Sequence, residues 1–234
     1  MISAKLRKSI DQNGWIGTLA LVPKNIKFLL TDFDIRHGTD TRCDIGAQGM
    51  ELPSHHEGYE GVPHRLFHKI IAQLDVDLRG YTFVDLGSGK GKALMLAAHH
   101  PFQRILGIEY DLHLHEASLN NLRRYRPSAN RLDAIECRHG DAREVEYPAG
   151  NLLVYLFNPF GSPILAEVLA KLTELPQNEN GEILVIYQNP LHRNLFDNSP
   201  YFEVIHDSHY RMGLWSKPPI GRVVIFHKKA CTSA

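Results

Sequence analysis

The chain has 234 residues, enough for one sizeable α/β domain with an added segment rather than two full domains. Hydrophobic residues make up 43% and charged residues 22%, the balance of an ordinary globular protein. Lys plus Arg number 26 and Asp plus Glu number 26; this argues against bulk nucleic acid as a partner, because phosphate contacts call for a basic surplus or a basic patch.

Residues 1–61 have a mixed texture and read as an N-terminal cap segment, partly helical and partly irregular. Short helices are expected over residues 3–12 and 24–31, followed by a stretch rich in Gly and His over 37–61. The first ten residues lack the apolar core of a signal peptide. The apolar run 15–22 stops far short of the roughly 20 residues a membrane span requires.

From Val62 to the end, residues 62–234 read as one regular domain. Pro63 suits the first turn of a helix that carries Leu66, Phe67, Ile70, Ile71 and Leu74 on one face. Residues 81–86 read as a buried strand, 91–100 as a helix stopped by Pro101, and 104–109 as a second strand. Asp111 can cap a helix with Leu112, Leu119 and Leu122 on its inner face. Residues 133–137 read as a third strand, and 151–157 as a fourth that is apolar enough to be buried on both faces. A helix over 163–175 and a fifth strand over 182–187 follow. Alternating strands and helices imply a doubly wound, mostly parallel sheet. The rhythm then breaks. Residues 202–207 and 222–227 both look like strands, yet the connection holds Gly213, Pro218, Pro219 and Gly221, so this pair is expected to run antiparallel.

Four short signals lie at the carboxyl ends of these strands. The first is Asp85-Leu-Gly-Ser-Gly-Lys-Gly91, following a strand and opening a helix, where glycines permit a sharp turn and close approach of a ligand. A dinucleotide fingerprint requires glycine at 92, where this chain has Lys92. A phosphate loop ending at Gly91-Lys92 requires glycine at 86 and Ser or Thr at 93, where it has Leu86 and Ala93. Asp85 suits a ligand carrying an ammonium group better than a pyrophosphate. The second signal is Glu109-Tyr110, 18 residues after Gly91, an acid placed to bind ribose hydroxyls. The third is the turn Gly140-Asp141-Ala142, and the fourth is Asn158-Pro159-Phe160-Gly161, polar atoms emerging from an apolar strand.

In these motifs residues 81–229 resemble the class I, Rossmann-like methyltransferases that use S-adenosylmethionine, and the stretch from about Asp32 to Val62 resembles the cap segment of a bacterial subgroup. The resemblance implies a seven-stranded sheet whose last strand is antiparallel. It also implies that Asp85, Gly87, Ser88, Gly89, Lys90 and Gly91 hold the methionine part of the cofactor. Glu109 and Tyr110 would then meet the ribose, and Asp141 with Ala142 the adenine. Asn158, Pro159 and Phe160 resemble the motif that holds the target nitrogen in amino-group methyltransferases, but lack its second proline. An amine or amide acceptor is therefore indicated, with Asn158 near both substrates. Tyr59, Glu57, Asp44 and Gln48 are expected to cover the cofactor, and Trp215 in the loop 209–220 to form the opposite wall.

The acceptor stays open between a protein side chain, a small metabolite and a glycan precursor. Two other functions compete: a nicotinamide-dependent oxidoreductase and a cofactor-binding protein without catalysis. No metal site is expected, because His64-Arg-Leu-Phe-His68 lacks the glutamate of a metalloprotease helix and no Cys or acid pattern completes a tetrahedral set. Cys43, Cys137 and Cys231 are distant from one another and odd in number, which points away from a disulfide framework and toward a cytoplasmic setting.

Overall fold

The computed structural model describes residues 12, 32–42, 62–125, 132–175, 181–211 and 220–229. The expected helices over 3–12 and 24–31, the side chains expected to cover the cofactor, and Trp215 lie outside this set, apart from Gln12.

In chain order the elements are α1 (Phe33–His37), α2 (His64–Ile71), β1 (Tyr81–Leu86), α3 (Lys92–Ala97), β2 (Arg104–Glu109), α4 (Leu112–Arg124), β3 (Ile135–His139), β4 (Asn151–Phe157), α5 (Ser162–Glu174), β5 (Ile183–Gln188), α6 (Asn194–Asp197), β6 (Phe202–Arg211) and β7 (Ile220–Lys228). The strands form one seven-stranded sheet in the order β3-β2-β1-β4-β5-β7-β6. β1 to β5 pair in parallel, whereas β7 runs antiparallel to both β5 and β6 and lies between them. The break in rhythm after residue 188 thus marks the one reversed strand.

β1 and β5 are buried along their whole length. Alternate residues of β1 feed two cores. Tyr81 and Phe83 pack on one face with Phe67, Leu94, Met95 and Phe102, while Val84 and Leu86 pack on the other with Leu165, Val168 and Phe196. A parallel strand covered on both faces has no solvent side, which is why β1 is mostly apolar and its Asp85 stands out.

Three local expectations are corrected. Pro63 is the N-cap residue of α2, outside its first turn, and its carbonyl accepts the Phe67 N–H at 3.0 Å. The third strand begins two residues late, because residues Leu132–Ala134 close a tight 3₁₀ turn first. Leu122 packs against the core as expected, but Leu112 is 50% exposed and the fully buried residues of α4 are Ser118 and Asn121. Asp111 does cap α4, accepting from the N–H groups of His113 at 2.8 Å and Leu114 at 3.0 Å. Arg123 and Arg124 occupy its last turn, where cations complement the helix dipole.

Several histidines meet where α2 packs on the end of α3. His68 Nδ1 and His100 Nε2 share a hydrogen bond of 2.8 Å, and the His68 ring lies edge-on to His99. Burial lowers the pKa of His64, His68 and His99, and takes His100 down to about 4. The folded state therefore favours neutral rings, while the unfolded chain gains protons near the ordinary value of about 6.5. The resulting stability is present above that value and lost as pH falls through the window toward 4. The thermal midpoint is expected to drop between pH 7.5 and pH 5, and to drop less in His100→Gln. Equal pH slopes for the two proteins would contradict this assignment.

Candidate active site

Strand order places β1 beside β2 on one edge and β4 on the other, so connections leave its carboxyl end in opposite directions. That is the switch point of an open α/β sheet, where a crevice opens. The glycine loop sits there. Gly87, Gly89 and Gly91 all have left-handed backbone, with φ of 79°, 53° and 81°. Two of them are also fixed by close approach. A Cβ on Gly87 would come within 2.5 Å of Pro159, and one on Gly91 within 2.4 Å of Ser118 Oγ. Gly91 therefore lets α4 pack against the loop rather than contacting a ligand.

The loop is anchored to β2. The N–H groups of Gly87 and Ser88 both donate to the Ile108 carbonyl at 2.9 Å. Glu109 Oε2 accepts from the Gly89 N–H at 2.7 Å and its Oε1 from the Asp111 N–H at 2.8 Å. One carboxylate thus ties the loop to the start of α4 and still has lone pairs toward the crevice. Burial raises its pKa, against the lowering effect of these hydrogen bonds.

A cavity of about 340 Å³ fills the crevice, within the usual range for small-molecule sites. Its wall includes Asp85, Gly87, Ser88, Gly89, Glu109, Tyr110, Asp141, Ala142, Pro159 and Phe160, most of the residues singled out from sequence. Val62, Tyr155, Phe157 and Ile164 also line it and were missed, because apolar residues in an apolar pattern carry no separate signal. Asp85 is 3% exposed, and among the described residues no hydrogen bond or ion pair engages its carboxyl. Burial, followed by the neighbouring Glu109, pushes its pKa well above the ordinary value. Asp141 accepts from the Arg143 N–H at 2.9 Å and pairs with the Arg143 guanidinium at 2.6 Å.

Three of the expected residues are turned elsewhere. Lys90 and Gly91 do not line the cavity, and the Lys90 ammonium reaches the Arg42 carbonyl at 2.9 Å. Asn158 also lies outside the lining; its backbone has φ of 43°, and its Oδ1 accepts from the Tyr187 hydroxyl at 3.3 Å. Its neighbours Phe157, Pro159 and Phe160 face the cavity in its place. Among the described residues, no group of three or more His, Cys, Asp or Glu side chains is placed to hold a metal ion. None of the described helices is long and apolar enough to cross a membrane.

No protein-family model and no curated protein sequence matches the chain. Solved structures do. TrmN from Thermus thermophilus superimposes with a TM-score of 0.53 at 18% identity, over 72% of this chain and 49% of TrmN. This chain therefore spans about half the length of TrmN. A Pyrococcus horikoshii protein assigned as an RNA methyltransferase gives 0.52 at 18% identity, over 71% of this chain and 83% of its own. The tRNA methyltransferase TrmK of B. subtilis gives 0.50 at 15% identity, over 70% and 65%.

The chain has the Rossmann-like methyltransferase fold. The methyltransferase fold accounts for the reversed β7 and for the position of the glycine loop after β1. It also overturns the expectation against bulk nucleic acid, since structures of this fold include tRNA and RNA methyltransferases. The physical reason is that net charge is a sum over the whole surface, whereas phosphate contacts depend on charge at one face.

Proposed function

We propose that the protein is an S-adenosylmethionine-dependent methyltransferase. The observation that carries this reading is Asp85, a buried carboxyl in the wall of the switch-point cavity that no hydrogen bond or ion pair engages among the described residues. An isolated buried carboxylate is costly, and a ligand ammonium at that point supplies the missing charge. The α-amino group of the cofactor fits there, with its ribose on the free lone pairs of Glu109. Its adenine lies toward Tyr110, Asp141 and Ala142. The cofactor, when bound, supplies a methyl group already activated on a sulfonium. The protein aligns the acceptor and excludes water, and orientation provides most of the acceleration.

Asn158-Pro159-Phe160 supports a nitrogen acceptor. With Asn158 turned toward Tyr187 and outside the cavity lining, the backbone carbonyls of this turn are what remain to accept the N–H of that nitrogen. We favour RNA as the acceptor, on the strength of the fold shared with TrmK and the Pyrococcus protein. We place the enzyme in the cytoplasm on its cysteine usage, and take residues 1–61 as a cap segment that precedes the catalytic domain.

Calorimetry with S-adenosylhomocysteine tests the cofactor assignment. Micromolar binding by wild type, weakened at least tenfold in Glu109→Ala, is expected. No binding by folded wild type overturns it. Transfer of labelled methyl to bulk tRNA, compared with protein extract and small metabolites, then tests the acceptor; label appearing only in protein or metabolites rejects RNA.

A further inference from the structure

Segment 32–42 is built as a small rigid unit. Asp32 caps α1, accepting from the Ile35 N–H at 3.0 Å, and pairs with Arg42 at 2.7 Å. The buried Asp34 accepts from the Thr39 hydroxyl at 2.7 Å and from the N–H and hydroxyl of Thr41 at 2.8 and 2.9 Å. Five-residue α1 and the turn after it are thus closed around one carboxylate.

This unit docks on the back of the glycine loop. The Asn121 side chain accepts from the Asp40 N–H at 2.8 Å and donates to the Asp40 carbonyl at 3.0 Å. The same amide group donates to the Lys90 carbonyl at 3.0 Å, so one buried side chain holds the segment and the loop together. Lys90 completes the joint, donating to the Arg42 carbonyl at 2.9 Å with Asp40 at 3.5 Å. Lys92 points the same way, with its ammonium 5.4 Å from the centre of the Phe33 ring, which in turn stacks on Tyr125. Neither Lys90, Asn121 nor any residue of 32–42 lines the cavity. Yet Lys90 lies between Gly89 and Gly91, and Gly89 is the residue whose N–H engages Glu109.

We propose that segment 32–42 is a working part of the cofactor site, coupled to the glycine loop through Asn121 and Lys90 as positioning residues. This rests on the cofactor assignment above. Glycine-rich backbone has many conformations to lose, and a loop already fixed at the Lys90 carbonyl loses fewer when ligand binds. Coupling is reciprocal, so ligand on the loop also strengthens the docking of the segment.

The test uses the full chain and S-adenosylhomocysteine, with calorimetry and amide hydrogen exchange on wild type, Asn121→Ala, Lys90→Met and Lys90→Arg. In wild type, ligand is expected to slow exchange at Asp40 and Thr41. Asn121→Ala and Lys90→Met are expected to bind about tenfold more weakly and to lose that ligand-dependent slowing, while Lys90→Arg retains both. Exchange in β1 and β4 reports whether each variant is folded, and the wild-type comparison needs no variant. Wild type that binds, with exchange at Asp40 and Thr41 unchanged by ligand or with folded variants of unaltered affinity, overturns the coupling alone. Wild type that does not bind overturns the cofactor assignment and the coupling with it.

Discussion

Asp85→Asn is expected to stabilise the ligand-free protein and to weaken S-adenosylhomocysteine binding by about 100-fold. The binding loss follows from removing a charged hydrogen bond worth about 1.5–3 kcal/mol, where 1.4 kcal/mol is tenfold. The gain in stability follows from the same burial. Asp85 is sealed in the sheet with Glu109 beside it and no cation among the described residues, so its charged form is disfavoured. Its folded pKa lies above the unfolded value, so the stability it contributes is full below the unfolded value and lost as pH rises through the folded one. A neutral carboxamide removes that loss. The ligand-free thermal midpoint of Asp85→Asn should therefore exceed that of wild type near neutral pH, with the gap closing in acid. A midpoint below wild type at neutral pH, with ligand affinity retained, would show that Asp85 has a cation of its own.

Gly91→Ala is expected to cost roughly 3 kcal/mol of stability. Left-handed backbone costs a non-glycine residue about 1–2 kcal/mol, and overpacking adds about 1–3 kcal/mol. The new methyl would meet Ser118 Oγ at 2.4 Å and Ser118 Cβ at 3.2 Å, inside the α4 contact that positions the loop. For a chain of this size the thermal midpoint should fall by roughly 6–12 °C. Adding Ser118→Gly should recover the steric part and leave the backbone part, so that the double variant regains about half of the loss. Full recovery would mean that φ of 81° carries no strain, and none would mean that Ser118 is not the obstacle.

The parts of the fold that were legible in sequence are those with one simple cause. β1, β2 and β4 are mostly apolar runs between turn residues, and their bounds coincide with the structure. β3 was misplaced because it is a half-exposed edge strand of mixed composition, where Leu132 and Ala134 spend their apolar character on a turn. α4 misled for the opposite reason. Helical periodicity counts leucines, but this helix buries Ser118 and Asn121 because glycine loop and segment 32–42 require small and polar surfaces there. Gly87, Gly89, Asp85 and Glu109 were legible because strand-to-turn spacing brings them to one crevice. Lys90 was assigned to the ligand by position in the motif, whereas its partner is Arg42, 48 residues away, a pairing no local pattern encodes.

The place of β7 in the sheet has a consequence for synthesis. β5 is buried throughout and polar only at Gln188 and the Tyr187 hydroxyl, and its outer edge is covered by β7, not by the strand that precedes β7 in the chain. During translation that edge therefore waits, with its N–H and C=O groups unpaired, until residues beyond 220 leave the ribosome. An apolar strand with an open edge is a template for pairing with other chains. Nascent chains paused between β5 and β7 thus carry an unpaired, largely apolar edge of the kind that pairs with other chains.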